Sequence, residues 1–202
     1  MTDHYQQTTE YQARHKQTLL YDLEHRYQVT LSGTIPWSYD SVIVVSNAVG
    51  RMSQKLGGPD VFAKAVGPVQ IQINNQISSG GLTYGSGKIE FQQSTLTNQQ
   101  SPWLGEVAVV HELAHAWAFN QSPVSRILGV DLLSYKMRLF CGQEEGPTNY
   151  GKKNWISPAE EWAESVAAYV YPEYIDHLQN HPTHPEVNSG LAPGIMNSLN
   201  SI

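Results

Sequence analysis

Residues 109–117 have the sequence VVHELAHAW, in which three ionisable side chains lie within an apolar run. Apolar residues continue on both sides and leave a helix there without a polar face; they are Leu104, Val107, Ala108, Val109, Val110, Leu113, Ala114, Ala116, Trp117, Ala118 and Phe119. A helix that is apolar all round normally lies inside a core. Because buried imidazoles and carboxylates need partners, the stretch predicts a central helix whose His111, Glu112 and His115 side chains are paired.

The two histidines are four residues apart and form the pattern H-E-x-x-H. On a helix, His111 and His115 project in the same direction from successive turns, and Glu112 is rotated by about 100°. Two neutral imidazoles at this spacing can bind one Zn²⁺ at about 2.0–2.1 Å each, while the glutamate reaches the metal-bound water. We therefore interpret His111 and His115 as zinc ligands and Glu112 as a general base. The alternative is a core helix whose histidines hydrogen-bond to carbonyl groups.

The composition limits the domain count and the classes of partner. A chain of 202 residues is long enough for one domain with an ample core, and we expect subdomains over about 1–120 and 121–202. The net charge of −6, with 12 Lys and Arg residues, provides no basic patch for nucleic acid. The one cysteine, Cys141, excludes an internal disulfide bond.

The sequence also predicts no membrane partner. It begins without the pattern of a signal peptide, and no apolar stretch reaches the ~18 residues that span a bilayer. We therefore expect a cytoplasmic or a non-classically secreted protein.

Hydrophobic periodicity predicts an α+β fold. Upstream of the motif, apolar residues recur at helical spacing in three stretches, which are 8–27, 38–56 and 59–65. Alternation with period two predicts a strand over 69–73, after a shorter alternation over 28–31. Glycine-rich turns then separate two extended segments, 82–84 and 88–92, which we expect to complete a small antiparallel sheet.

The motif helix is expected to begin at Pro102, with Ser101 as its N-cap, and to run to about Asn120. Beyond it the patterns predict four further segments, which are helices over 131–140, 158–171 and 194–200 and a long loop over 143–156.

Two histidines do not complete a catalytic zinc site, because such sites use three protein ligands and leave a position for water. A third histidine six residues after His115 is typical of metzincins, but Gln121 occupies that position and Ala118 replaces the glycine of that pattern. The remaining common solution is a glutamate from a second helix. Downstream, the acidic helical cluster is PAEEWAE, in which Glu160 and Glu164 share a face one turn apart.

Glu160 has a competing structural role. Ser157-x-x-Glu160 matches a capping box, in which the glutamate turns back to the Ser157 amide and contributes about 1 kcal/mol. In that geometry Glu160 would point away from the metal, and Glu164 would become the third ligand. The residues alone leave both arrangements open.

Three segments together resemble a known family. HELAH at 111–115, TNYG at 148–151 and EEWAE at 160–164 are similar to the motifs of gluzincin zinc peptidases of the lethal-factor and Pro-Pro endopeptidase type. Those motifs are H-E-x-x-H, a tyrosine in a T/S-x-Y-G/A turn, and E-x-x-A-E. The resemblance implies a zincin-like fold, with a small antiparallel sheet on the active-site helix and a helical C-terminal subdomain across a cleft.

The resemblance also implies a role for each matching residue. It gives Zn²⁺ as the cofactor, His111, His115 and Glu160 as its ligands, and Glu112 as the general base. Tyr150 would donate a hydrogen bond to the oxyanion, and Glu164, or a backbone carbonyl, would orient a ligand imidazole from behind. This sequence departs from the pattern in one respect, because Tyr150 precedes Glu160 by ten residues instead of seven.

We therefore predict a zinc-dependent endopeptidase whose substrate is a protein or peptide. The segment 88–92 is the expected edge of the cleft, where an extended substrate would add as a further strand. Two alternatives belong to other classes. One is a regulatory metalloprotein of the ImmA/IrrE type, which Glu160-x-x-Ala163 also resembles. The other is a zinc-stabilised binding module without catalytic activity.

Overall fold

The structure is a computed structural model, and it describes residues 2–97, 102–120 and 158–174. Its helices and strands, in chain order, are α1 (Thr2–Tyr27), β1 (Val29–Ser32), α2 (Tyr39–Leu56), α3 (Pro59–Val66), β2 (Val69–Ile73), β3 (Gly81–Thr83), β4 (Lys88–Phe91), α4 (Gln93–Leu96), α5 (Pro102–Asn120) and α6 (Pro158–Val170). The predicted helices over 131–140 and 194–200 and the loop over 143–156 lie outside the described residues.

The described residues have the predicted α+β composition, but their sheet is mixed. The strand order is β1-β2-β4-β3, with β1 parallel to β2, β2 parallel to β4, and β3 antiparallel to β4. The prediction of an antiparallel sheet is therefore wrong except for the β3–β4 hairpin. The reason is topological: α2 and α3 return the chain to the end of the sheet where β1 began, so β2 must run in the same direction.

The position of β4 also corrects the predicted edge of the sheet. We expected 88–92 at an edge, but β4 pairs with β2 on one side and with β3 on the other. Ile89 and Phe91 of β4 are fully buried, whereas β3 is three residues long and exposes Leu82. Very short strands are typical of sheet edges, and β3 occupies this one.

The helix α2 forms as predicted because both of its ends are capped. The Ser38 hydroxyl accepts a hydrogen bond from the Ser41 amide at 3.1 Å, a standard N-cap interaction. Gly57 ends the helix in the left-handed region, with φ = 103°, where residues other than glycine are disfavoured. The buried stripe of α2, which includes Val45, Val49 and Met52, joins the sheet and α5 in one core.

The helix α5 lies in the middle of this core, as its apolar sequence predicted. The side chains of Val109, Val110, Leu113 and Trp117 are fully buried. In the part of the chain that the structure describes, no helix combines the length and the apolar character required to cross a membrane.

A tryptophan pair joins α6 to α5. The Trp162 indole N–H donates to the Ala114 carbonyl at 2.9 Å, and the Trp117 and Trp162 rings meet edge to face, 4.9 Å between centroids. Both side chains are fully buried, as are Ala163 and Ala167, and small residues of this kind let two helices approach closely. This contact brings the acidic face of α6 to the histidines of α5.

Candidate metal centre

Two histidines of α5 and one glutamate of α6 converge at a single point. The Nε2 atoms of His111 and His115 are 3.2 Å apart. Glu160 Oε2 lies 3.2 Å from His111 Nε2, and Glu160 Oε1 lies 3.6 Å from His115 Nε2. The three side chains are 13%, 11% and 26% exposed, respectively. They are therefore largely buried, and Glu160 is the most exposed of the three.

The spacing of these atoms fits a tetrahedral metal ion. Two donors at about 2.0–2.1 Å from one Zn²⁺ lie about 3.3 Å apart at the tetrahedral angle. This value is close to the separation of the two Nε2 atoms and to the distance from each Nε2 atom to one of the two Glu160 oxygens. Two unprotonated ring nitrogens facing each other at 3.2 Å would repel, so a proton or a cation must lie between them. Ligand atoms of the three residues all lie within 4.8 Å of one another, and their chemistry matches the two-histidine, one-glutamate set of catalytic zinc sites.

Glu160 faces the two imidazole rings. This orientation bears on which glutamate, Glu160 or Glu164, could be the third ligand. Its carboxylate oxygens contact both imidazoles, whereas Glu164 Oε1 contacts His111 at the far nitrogen, Nδ1, at 2.9 Å. Ser157, the partner in the alternative capping box, lies outside the described residues. Of the two glutamates, Glu160 is thus the one directed at the point where His111 and His115 meet.

Glu164 is placed to fix the tautomer of His111. A hydrogen bond from Nδ1–H to the Glu164 carboxylate leaves the lone pair of Nε2 free for a metal, an arrangement common behind metal-bound histidines. Glu164 in turn accepts a hydrogen bond from the Tyr174 hydroxyl at 3.3 Å. The sequence did not predict a role for Tyr174, because it follows the helix after Pro172 and belongs to no recognised spacing.

The charges in the cluster are strongly coupled. Burial lowers the pKa of His111, but the Glu160 and Glu164 carboxylates more than offset burial and raise this pKa to about 10. Burial, reinforced by the positive charge of His111, lowers the pKa of His115 to about 3. The pKa of Glu160 is lower than usual. Burial alone would raise it, but the hydrogen bond with His111 and the charges of the two histidines have the larger effect. The Glu160 and Glu164 carboxylates thus favour the protonated form of His111, whereas burial and the charge of His111 favour the neutral form of His115.

Glu112 lies beside this cluster and is held by the edge strand. Its side chain is buried, with 7% of the residue exposed, and burial raises the pKa of its carboxyl above the usual value. The Thr83 hydroxyl lies 2.6 Å from Glu112 Oε2 and 3.0 Å from the Glu112 main-chain oxygen. A Cβ atom at Gly81 would lie 2.6 Å from Glu112 Oε1. No spacing in the sequence connects Thr83 or Gly81 with the motif, since 29 residues separate Thr83 from Glu112.

The structure therefore brings together His111, His115 and Glu160, with Glu164 behind His111 and Glu112 alongside. Tyr150, the expected oxyanion donor, lies outside the described residues. In comparisons with known proteins, no family model matches the chain, and no curated protein matches it.

Proposed function

We propose that this protein is a zinc-dependent endopeptidase of the gluzincin type, with a zincin-like fold. His111, His115 and Glu160 would hold Zn²⁺, and Glu112 would act as the general base. The observation that carries this proposal is the convergence of His111, His115 and Glu160, whose ligand atoms lie within 4.8 Å of one another. The H-E-x-x-H and E-x-x-A-E motifs support it independently.

The reaction is hydrolysis of a peptide bond. Bound zinc would polarise the scissile carbonyl and lower the pKa of its water towards ~7. Glu112 takes the proton from this water as the oxygen bonds to the carbonyl carbon, and then gives it to the leaving amine as the carbon–nitrogen bond breaks. The burial that raises the pKa of Glu112 makes its carboxylate a better base. By resemblance, the Tyr150 hydroxyl would donate to the oxyanion.

The outer edge of β3, which pairs with none of the other described strands, supports an extended peptide substrate. On either side of β3, the Tyr84 amide donates to the Lys88 carbonyl, and the Gly80 carbonyl accepts from the Gln92 amide. The backbone groups of every second residue therefore point towards β4. In an antiparallel pair, the backbone groups of the intervening residues point the other way. The backbone of Thr83 is thus directed outwards, next to Glu112, where a peptide can add as another strand.

The proposal is tested with Glu112→Gln, which keeps the size of the side chain but removes the base. We expect about one zinc ion per chain in both proteins, and cleavage of a diverse peptide library by the wild type. Turnover should fall by roughly 10²- to 10⁴-fold in the variant. Elemental analysis measures the zinc, and mass spectrometry of the library measures cleavage. Glu24→Gln, at an exposed position of α1, is the matched control and should behave like the wild type.

Two results would contradict the endopeptidase proposal. Unchanged turnover in Glu112→Gln would exclude Glu112 as the base. A wild-type protein that carries one zinc ion and leaves the whole library intact would favour a zinc-stabilised binding module or a regulatory metalloprotein instead.

A further inference from the structure

The edge strand β3 contacts Glu112 at two residues that point to the same face of the sheet. Gly81 and Thr83 are two positions apart, and side chains two apart on a strand share a face. Thr83 places a hydroxyl 2.6 Å from Glu112 Oε2. Gly81 leaves open the space that the other carboxylate oxygen, Oε1, occupies. Each carboxylate oxygen of Glu112 therefore lies next to one residue of β3, Oε2 next to Thr83 and Oε1 next to Gly81.

We propose that Thr83 is a positioning residue for Glu112, and that its hydroxyl, together with the missing side chain at Gly81, sets the direction of the Glu112 carboxylate. This inference depends on the proposed function, because the direction of Glu112 affects turnover only if Glu112 is the general base. It adds to that function a requirement for one strand residue outside the H-E-x-x-H and E-x-x-A-E motifs.

The need for such a residue follows from the burial of Glu112. A carboxylate that is 7% exposed has little water to orient it and requires a hydrogen-bond donor. Among the described residues, Thr83 is the side chain that donates to it. A base must stay within hydrogen-bond reach of the proton that it removes, and a displacement of about 1 Å can reduce the rate of a reaction by ~10²-fold.

The Thr83 hydroxyl has one hydrogen and two nearby acceptors, the Glu112 carboxylate and the Glu112 main-chain oxygen. A bond to the main-chain oxygen alone would be a structural tie between β3 and α5. A bond to the carboxylate, which is the shorter contact and carries the negative charge, is the stronger one. The two roles make different predictions for a variant that lacks the hydroxyl.

The test compares Thr83→Val, which keeps the shape of the side chain, with Thr83→Ser, which keeps the hydroxyl. In Thr83→Val we expect kcat to fall by about 10- to 100-fold, KM to stay within about two-fold, and the zinc content to stay at one per chain. Thr83→Ser should restore kcat to within about three-fold of the wild type. Thr30→Val, at an exposed position of β1, is the matched control and should leave both constants unchanged.

A second variant approaches the same carboxylate from its other side. Gly81→Ala keeps the Thr83 hydroxyl, but its Cβ would lie 2.6 Å from Oε1 and 2.7 Å from Cγ of Glu112, so the glutamate must move. We expect the same loss of kcat at unchanged zinc content. This variant replaces Thr83→Val in the comparison if the valine protein does not fold.

A readout without turnover separates the failure of this inference from the failure of the proposed function. Crystal structures of the wild type and of Thr83→Val or Gly81→Ala should show the Glu112 carboxylate moved away from its wild-type position. A carboxylate that stays in place in the variant overturns the positioning role, even if the wild type cleaves no peptide. An unchanged kcat in Thr83→Val, or a loss that serine does not restore, overturns it as well.

Discussion

Glu90 is a buried carboxylate on the face of the sheet opposite to the core, and four side chains satisfy it. It is 3% exposed, and its oxygens contact Lys88 Nζ at 2.6 Å, Asn74 Nδ2 at 2.9 Å and the Tyr84 hydroxyl at 3.0 Å, with Gln72 as the fourth donor. The ion pair with Lys88 is the main reason that the pKa of Glu90 is lowered to about 2.

The lowered pKa of Glu90 predicts a loss of stability in acid. Because the pKa is lower in the folded than in the unfolded chain, the stabilisation is present above pH 4.5 and is lost as the pH falls towards 2. In this window the free energy of unfolding of the wild type should fall more steeply than that of Glu90→Gln, by at most about 1.4 kcal/mol per pH unit. Urea unfolding at several pH values measures this, with Glu24→Gln as an exposed control. Parallel curves for the wild type and Glu90→Gln would contradict the prediction.

At the scale of residues, the sequence predicted those parts of the site that lie close together in the chain. His111, Glu112 and His115 share one helix, so their spacing alone defines their geometry. Thr83 and Tyr174 could not be predicted in the same way, because their contacts depend on how β3 and the residues after α6 pack against the site. The choice between Glu160 and Glu164 likewise required the position of α6 relative to α5.

At the scale of elements, the pairing of α5 with α6 sets the position of Glu160. Trp162 lies two residues after Glu160 and bonds to the α5 backbone at Ala114. Trp162→Phe should lower the free energy of unfolding by about 1–3 kcal/mol, because it removes a buried hydrogen bond and leaves unfilled volume. It should also weaken zinc binding by about ten-fold. Urea unfolding and competition with a zinc chelator measure the two effects.

Trp37→Phe provides the matched control for this prediction. Its indole N–H also donates to a main-chain carbonyl, that of Ser32, at 2.9 Å, but it belongs to the segment between β1 and α2 and not to α6. It should reduce stability without changing the affinity for zinc. Equal losses of zinc affinity in the two variants would show that Trp162 has no specific effect on the position of Glu160.

The residues that follow α6 are also attached to the rest of the fold. The fully buried Tyr171 donates its hydroxyl hydrogen to Glu106 Oε2 at 2.8 Å. The Arg51 guanidinium lies 4.1 Å from the centre of the Tyr171 ring and forms an ion pair with Glu173 at 2.6 Å. These contacts join the residues after α6 to both α2 and α5, and they help to hold α6, with Glu160, in place.

The order of the strands shows where local patterns cease to be informative. The alternation in 69–73 defines a strand, and the glycines before and after 82–84 define a hairpin, because both signals are local. Which strand lies next to β2 depends on whether Ile89 and Phe91 or the residues of β3 fill the core, a comparison that involves the whole sheet. The antiparallel prediction failed at this point, although the strands themselves were predicted.

At the scale of the whole molecule, the proposed zinc ion links two helices that are separated by residues 121–157. Removing it should lower the thermal stability of the protein, because a ligand present at 100 times its dissociation constant contributes about 2.7 kcal/mol. The fold should persist, because the Trp162 hydrogen bond to Ala114 and the Tyr171 hydrogen bond to Glu106 also attach this part of the chain to α5. Thermal unfolding followed by circular dichroism, with and without EDTA, measures the difference.

His111→Ala is the control for the effect of EDTA. This variant lacks one proposed ligand, so we expect its melting temperature to be the same with and without the chelator. If the wild type is equally insensitive to EDTA although it contains zinc, then the ion does not join α5 to α6.

The strand β3 contacts Glu112, the proposed general base, through Thr83, and none of the other described strands pairs with its outer backbone edge. A peptide that pairs along this edge would immobilise the three residues of β3, including Thr83 and its hydroxyl. Affinity gained far from the scissile bond could then increase the speed of hydrolysis as well as the strength of binding. The protein would then prefer long, unfolded polypeptides to very short peptides, because only a long substrate can pair with β3 and also reach Glu112.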